Sequence, residues 1–346
     1  MELTLVATPL QTLWFILIGV IIAGYYLLDG FDLGLGVLYP FIAKTEKEKS
    51  ILRVSIGPLW DGNEVWLLTA GGALFAAFAP AYATSFSGFY LAIMLVLFGL
   101  IARAAAIEFR YYDKQWKKLW DACFFVGSFL PALLFGVAVG NVVRGIPLNI
   151  KGDYTGTFFQ LLNPYSLLIG LLGFAVFVWH GANYAGLKVP LGTEMYDRVK
   201  VARKYAMWAS LALTLLATVY TFFEIDNVLP GGIISVLRIL FCAVTLAGLG
   251  YGFIGASKQQ DCPSFIASSV TIVGLVGLFA ASIWPNLIPA SNDAALSITV
   301  AGAGGSNLAL TAMTIITCIG LPLVLLYHYL IYKAFFGRVT EEDLTY

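Results

Sequence analysis

The chain is a succession of apolar stretches, each long enough to cross a bilayer. Nine can be marked, at 12–37, 57–78, 84–105, 120–143, 164–186, 205–224, 233–256, 264–284 and 307–332. Each is roughly 20 residues, as a ~30 Å hydrocarbon core requires. Charged residues make up 12% of the 346, against ~25% in a soluble domain, so the number of spans bounds the architecture better than the length does. Backbone groups in hydrocarbon must be satisfied within their own segment, so spans of this length are helices. The expectation is an all-α integral membrane protein of about nine transmembrane helices, forming one polytopic domain over 1–346. Two four-helix bundles would be joined by a peripheral ninth helix, 307–332.

Charge sets the orientation. The segments after spans one, three, five and seven, with the C-terminal tail, carry 17 of the 20 Lys and Arg, Lys114 among them. The other connections hold only Arg144 and Lys151, and Arg238 falls within a span. Basic loops stay in the cytoplasm, so the N-terminus is expected outside and the C-terminus inside. The chain starts Met1-Glu2 without a positive n-region, so no cleavable signal is expected. There is no basic stripe for nucleic acid. The four cysteines are far apart, with no metal-type pairing.

Acids then stand out. The run Gly57–Gly72 opens a span yet places Asp61 and Glu64 in its first two turns, three residues apart, flanked by Trp60 and Trp66. A charge at membrane depth costs at least ~2.5 kcal/mol. Pro58 suits a first helical turn. Asp29 and Asp32, with the same spacing, end the preceding span, which Gly30, Gly34 and Gly36 should loosen. By the orientation above, both pairs lie in the cytoplasmic half, against each other. They are candidates for a proton relay or ion site; the blander reading is anchoring at the headgroups, with Asp32 capping or pairing with a loop cation.

Other polar residues have ordinary explanations. Asn63 and Thr69 could extend a hydrogen-bonded line or make interhelical contacts. Arg103 and Glu108 should reach the interface or form a structural ion pair, and Arg238 should snorkel or pair with Glu224 or Asp226. Asp121 starts the fourth span from the basic side. His180 and His328 stand near inner span ends, but His328 sits in an interface-like run before Lys333, so neither is expected to ligate haem, and no metal site is expected. A weak repeat relates 12–143 to 164–284: Asp-Gly-Phe-Asp at 29–32 aligns with His-Gly-Ala-Asn at 180–183, and Trp60 with Trp208.

The stretches Leu28–Gly36 and Trp60–Ala77 resemble subunit II of the cytochrome bd quinol oxidases. So do Ser85–Tyr90, Gly127–Pro131, Gly136–Asn141, Thr155–Pro164 and the tail Phe336–Asp343. The resemblance covers essentially the whole chain and is most specific in its first half; 225–260 is shorter than in some members. It implies a bacterial cytoplasmic (inner) membrane complex that oxidises quinol and reduces dioxygen to water. It further implies two b haems, one haem d and the quinol site in the partner, subunit I, and no cofactor in this chain. A small single-helix accessory subunit and membrane lipid would complete the heterodimer. The family's proton-route aspartate falls on Asp61, whereas Glu64 replaces a glutamine of some members. A structural quinone, where present, lies near the tryptophan matching Trp60, with Trp66 a second candidate for quinone or lipid contact. Quinol oxidation outside and proton uptake inside would charge the membrane. The rival reading is a secondary transporter with an acid-lined ion site, which would need breaks at mid-membrane rather than at one face.

Overall fold

The computed structural model describes residues 6–113, 115–258, 260–340 and 342–345. Met1, Glu2, Lys114 and Glu341 lie outside the described residues. Among these residues, eight helices are long and apolar enough to cross a membrane. They are α1 (Pro9–Ile42), α5 (Tyr90–Tyr112), α6 (Lys117–Arg144), α7 (Pro164–Lys188), α8 (Glu194–Glu224), α9 (Gly232–Ser257), α10 (Asp261–Ile283) and α12 (Asn307–Ala334). The remaining marked stretch, 57–78, forms α3 (Trp60–Ala77), whose 18 residues extend ~27 Å. Pro58 lies outside α3, in the turn after α2 (Glu46–Ile56).

Two stretches differ from their sequence reading. The chain breaks at Phe78 and Phe89, so 84–105 is divided between a short α4 (Ala79–Gly88) and α5. The true span is therefore shifted toward its C-terminus, which carries Arg103 well inside α5. Nor do glycines loosen α1, which is continuous over 34 residues and starts in a capping box made by Thr8 and Gln11. Gly34 is where α1 meets α7 backbone to backbone: a Cβ there would lie 1.9 Å from the Phe177 carbonyl oxygen. Gly136 of α6 similarly meets Gly170 of α7. Close approach through small residues is how helices associate in lipid, where no hydrophobic force separates helix from solvent.

Helix α1 is the pivot. It packs on α3, α6 and α7; α5 packs on α6, α7 on α8, and α9 along α10. Helix α12 is peripheral, with only 6% of its apolar window buried, and leans on α1 and α3. One end of the bundle is basic. There α2, capped by Thr45 and Glu48, lies over a cluster of Leu38, Ile42, Leu52, Ile56 and Val199. At the other end the connections fold together. Strands β1 (Asn286–Ile288) and β2 (Ile298–Thr299) pair antiparallel, Ile146 bridges to Ala290, and a short α11 (Val300–Ala303) follows.

Candidate functional site

A charged cluster lies buried between α1, α3 and α5. Asp29 and Asp32 are 0% exposed, one turn apart on the same face of α1. Arg103 reaches them from α5, also 0% exposed. Its Nη2 is 2.6 Å from Asp29 Oδ1 and 3.4 Å from Glu64 Oε1 of α3. One turn along, Asn63 donates from Nδ2 to Asp32 Oδ2 at 2.7 Å and to the Leu28 carbonyl at 3.3 Å. The Tyr332 hydroxyl of α12 donates to Asn63 Oδ1 at 3.0 Å. Four helices thus converge on one polar group inside an apolar bundle.

The cluster is under-satisfied. Asp29 Oδ2, Asp32 Oδ1, Arg103 Nε and Nη1, and the Tyr25 hydroxyl are buried without hydrogen-bond partners. Arg103 is the one cation paired with Asp29 and Glu64 among the described residues. Unpaired buried polar atoms are rare, since each costs ~1–3 kcal/mol.

The sequence candidates are only partly brought together. Asp29, Asp32 and Glu64 meet as expected. Asp32 does not cap or pair with a loop cation: α1 continues ten residues beyond it to Ile42, which holds it inside, on Asn63. Asp61, one turn from Glu64, is exposed and stands outside the buried cluster. Trp66 is buried against Gly24 and donates to His328 Nε2 at 3.2 Å. Trp60 is half-buried beside the core under α2. Thr69 turns back to the Val65 carbonyl of its own helix.

Arg103 does not reach the interface, and Arg238 pairs with neither expected acid. Glu224 is taken by Arg144 at 2.5 Å, and Arg238 donates instead to carbonyls of Asn227, Val228, Ala281 and Ser282. Tyr332 carried no sequence signal; Arg103 did, as a lone cation in an apolar run facing lone acids in others.

At the basic end Asp121 accepts from Lys49 at 2.7 Å, Arg110 at 2.9 Å and Tyr39 at 2.8 Å. Glu46 binds Arg110 and Lys117. Hydrogen bonding from Arg110, foremost, holds the Glu46 carboxyl below its usual range. Asp261 binds Arg203, Arg338 and Tyr196, pinning the C-terminal tail. Both histidines are engaged at both ring nitrogens. His180 meets Ser268 Oγ at 2.7 Å and the Leu27 carbonyl at 3.0 Å; His328 meets Trp66 and the Val324 carbonyl. Among the described residues no three His, Cys, Asp or Glu side chains gather as a metal would require, and the four cysteines are free.

The fold and site define a multi-pass helical membrane protein with a charged group buried between its helices. The chain belongs to the cytochrome bd terminal oxidase subunit II family, whose pattern matches residues 10–335. It is similar to the cytochrome bd-I ubiquinol oxidase subunit 2 of Escherichia coli K12, at 34% identity over 97% of this chain and 96% of that one. It is also similar to the probable cytochrome oxidase subunit 2 of Haemophilus influenzae (35%, with 95% of each covered). The Bacillus subtilis cytochrome bd ubiquinol oxidase subunit 2 is 31% identical over 97% of this chain and 99% of its own. The bd oxidase structure from Geobacillus thermodenitrificans superposes with a TM-score of 0.73, covering 95% of this chain and 99% of that one. At 15% identity it supports the fold alone. The chain is thus a subunit of an oxidoreductase complex that contains haem, and a subunit I is its partner. The transporter alternative is set aside by this membership.

Proposed function

We propose that this chain is the haem-free subunit of a quinol:dioxygen oxidoreductase in a bacterial cytoplasmic membrane, and that it provides part of the route by which cytoplasmic protons reach the partner's haems. The basic end, where α2 and the C-terminal tail lie, faces the cytoplasm, so that the N-terminus is outside. Helix α3 completes the nine spans. The engagement of both histidines at both nitrogens supports haem binding in subunit I alone.

The observation that carries the proton route is the cluster around Arg103. One guanidinium faces Asp29 and Glu64, with Asp32 one turn on and held by Asn63. It can balance one negative charge, and an uncompensated buried carboxylate is too costly to persist. A proton shared among the carboxyls is the simplest balance, and the unpartnered atoms of Asp29, Asp32 and Arg103 are places for water to carry it. Asp61 is the delivery point. With Val65 and Leu68 it makes an exposed stripe at helical spacing along α3. A carboxyl left facing lipid would be costly, so this stripe is read as the face that subunit I covers. Trp60, half-buried at the same end, is the residue for a structural quinone, if the complex carries one. The oxidase substrates, quinol and dioxygen, act at subunit I.

The test is steady-state oxygen consumption per haem. Asp61→Asn keeps the shape and removes the titratable proton. It should assemble with normal haem spectra and turn over at least ~10-fold more slowly, the scale of a lost proton-transfer group. Asp61→Glu should recover part of the rate and Glu64→Gln should do less harm. Full activity in an assembled Asp61→Asn complex would leave Asp61 a structural anchor.

A further inference from the structure

Away from the acid cluster the bundle is open on one side. Helix α9 lies along α10, with Gly248 against Thr271 and Gly274 against Thr245, and this pairing draws it away from α8. Between α8 and α9 is an apolar cleft of about 330 Å³, walled by α6 to α10 and reaching Tyr26 of α1. That is at the lower end of ligand-pocket volumes, ~300–1,000 Å³. Its hydroxyls offer a ligand little. Thr214, Thr218, Thr221 and Thr245 all donate to carbonyls four residues earlier on their own helices. What fits such walls is a flexible hydrocarbon chain.

The rim at the end opposite the basic loops has the other chemistry. Arg238 stands there, its guanidinium held by the carbonyls of Val228 at 2.6 Å, Ser282 at 3.0 Å, Ala281 at 3.1 Å and Asn227 at 3.4 Å. The last-turn carbonyls of α10 offset part of its charge. Among the described residues no carboxylate offsets the rest: Glu224, the nearby acid on α8, is paired with Arg144. A fixed, uncancelled cation at the mouth of an apolar cleft matches an anionic amphiphile lying parallel to the helices. We propose that this cleft holds one acyl chain of an anionic phospholipid of the outer leaflet, with its phosphate beside Arg238. Such a lipid would fill the gap that α9 leaves when it pairs with α10.

Native mass spectrometry of the purified complex, delipidated and then titrated with phosphatidylglycerol or phosphatidylcholine, tests this. One phosphatidylglycerol per complex should be retained in preference to phosphatidylcholine. Arg238→Gln should weaken that retention about five-fold, as for one basic group beside an anionic lipid. Cys242→Trp, which fills the wall of the cleft, should abolish it. A second measurement needs neither variant. With Cys123, Cys262 and Cys318 replaced by serine, alkylation of Cys242 should be slowed by phosphatidylglycerol and not by phosphatidylcholine. Equal retention or equal protection by the two lipids, indifference to Arg238→Gln in an assembled complex, an empty cleft, or a quinone as the retained mass would each overturn the proposal.

Discussion

Residues 29–32 on α1 and 180–183 on α7 carry the same order of polar, glycine and apolar residues. In each, a polar residue, a glycine, an apolar residue and a second polar residue lie at the point where the two helices cross. All four polar groups, Asp29, Asp32, His180 and Asn183, are 0% exposed. Yet the α7 version is neutral and nearly satisfied. His180 uses both nitrogens, and Asn183 donates to Ser268 Oγ and the Ser264 carbonyl, each at 2.9 Å. Its one orphan is Asn183 Oδ1. The α1 version is charged and holds orphan atoms on Asp29, Asp32 and Arg103. The first reads as a polar clamp between α7, α10 and α1. The second tolerates a lasting electrostatic conflict that packing alone does not explain, and such conflict is where proton chemistry is found.

The comparison can be broken or sharpened by substitution. The largest effect is expected from Arg103→Gln. Removing the cation leaves the carboxyls uncompensated, a loss of ~3–5 kcal/mol. Yield and thermal stability of the haem-bearing complex should fall steeply; a normal melting temperature would mean that Arg103 does not hold the cluster. His180→Ala should come next. It removes the bonds to Ser268 and the Leu27 carbonyl and opens a cavity, together ~2–3 kcal/mol. Melting should drop, but haem content and oxygen turnover per assembled complex should not. Lost turnover there would erase the distinction between the two sites. The smallest effect belongs to the exposed pairs on α2. Because the Glu46 carboxyl is held below its usual range, its contribution is present at neutral pH and is lost as pH falls through the lowered value. Glu46→Gln should therefore lower melting slightly at pH 7, by no more than ~1 kcal/mol, with the difference closing in acid. An undiminished difference at low pH would point to packing instead.

Much of this was legible in the sequence, and the failures are physical. Span length and the acids at one membrane face placed α1, α3 and the cluster near one another, because apolar runs and lone charges in them are local signals. Helix ends were less visible. The break at Phe89 follows the single glycine Gly88, which an apolar span can carry unbroken, so the sequence pattern starts the span too early and sets Arg103 at the interface. Gly34 read as a helix-loosening residue because composition does not distinguish flexibility from close packing; the partner, Phe177 of α7, is 143 positions away. Tyr332 joins the cluster only through the lean of α12 on α3. That Asp61 stays exposed is likewise beyond the periodicity: it shares a face with Glu64, yet only Glu64 reaches Arg103 of α5.

The central claim is that the acid cluster and Asp61 carry protons while the α7 cluster only holds helices together. Proton uptake from the α2 side of the membrane, followed with a pH indicator after an oxygen pulse to the reduced complex in oriented proteoliposomes, tests it most directly. Asp61→Asn with normal haem spectra should take up protons at least ~10-fold more slowly than wild type, and Asn183→Ala at the wild-type rate. Wild-type uptake in Asp61→Asn, or equal slowing in both variants, would contradict the account.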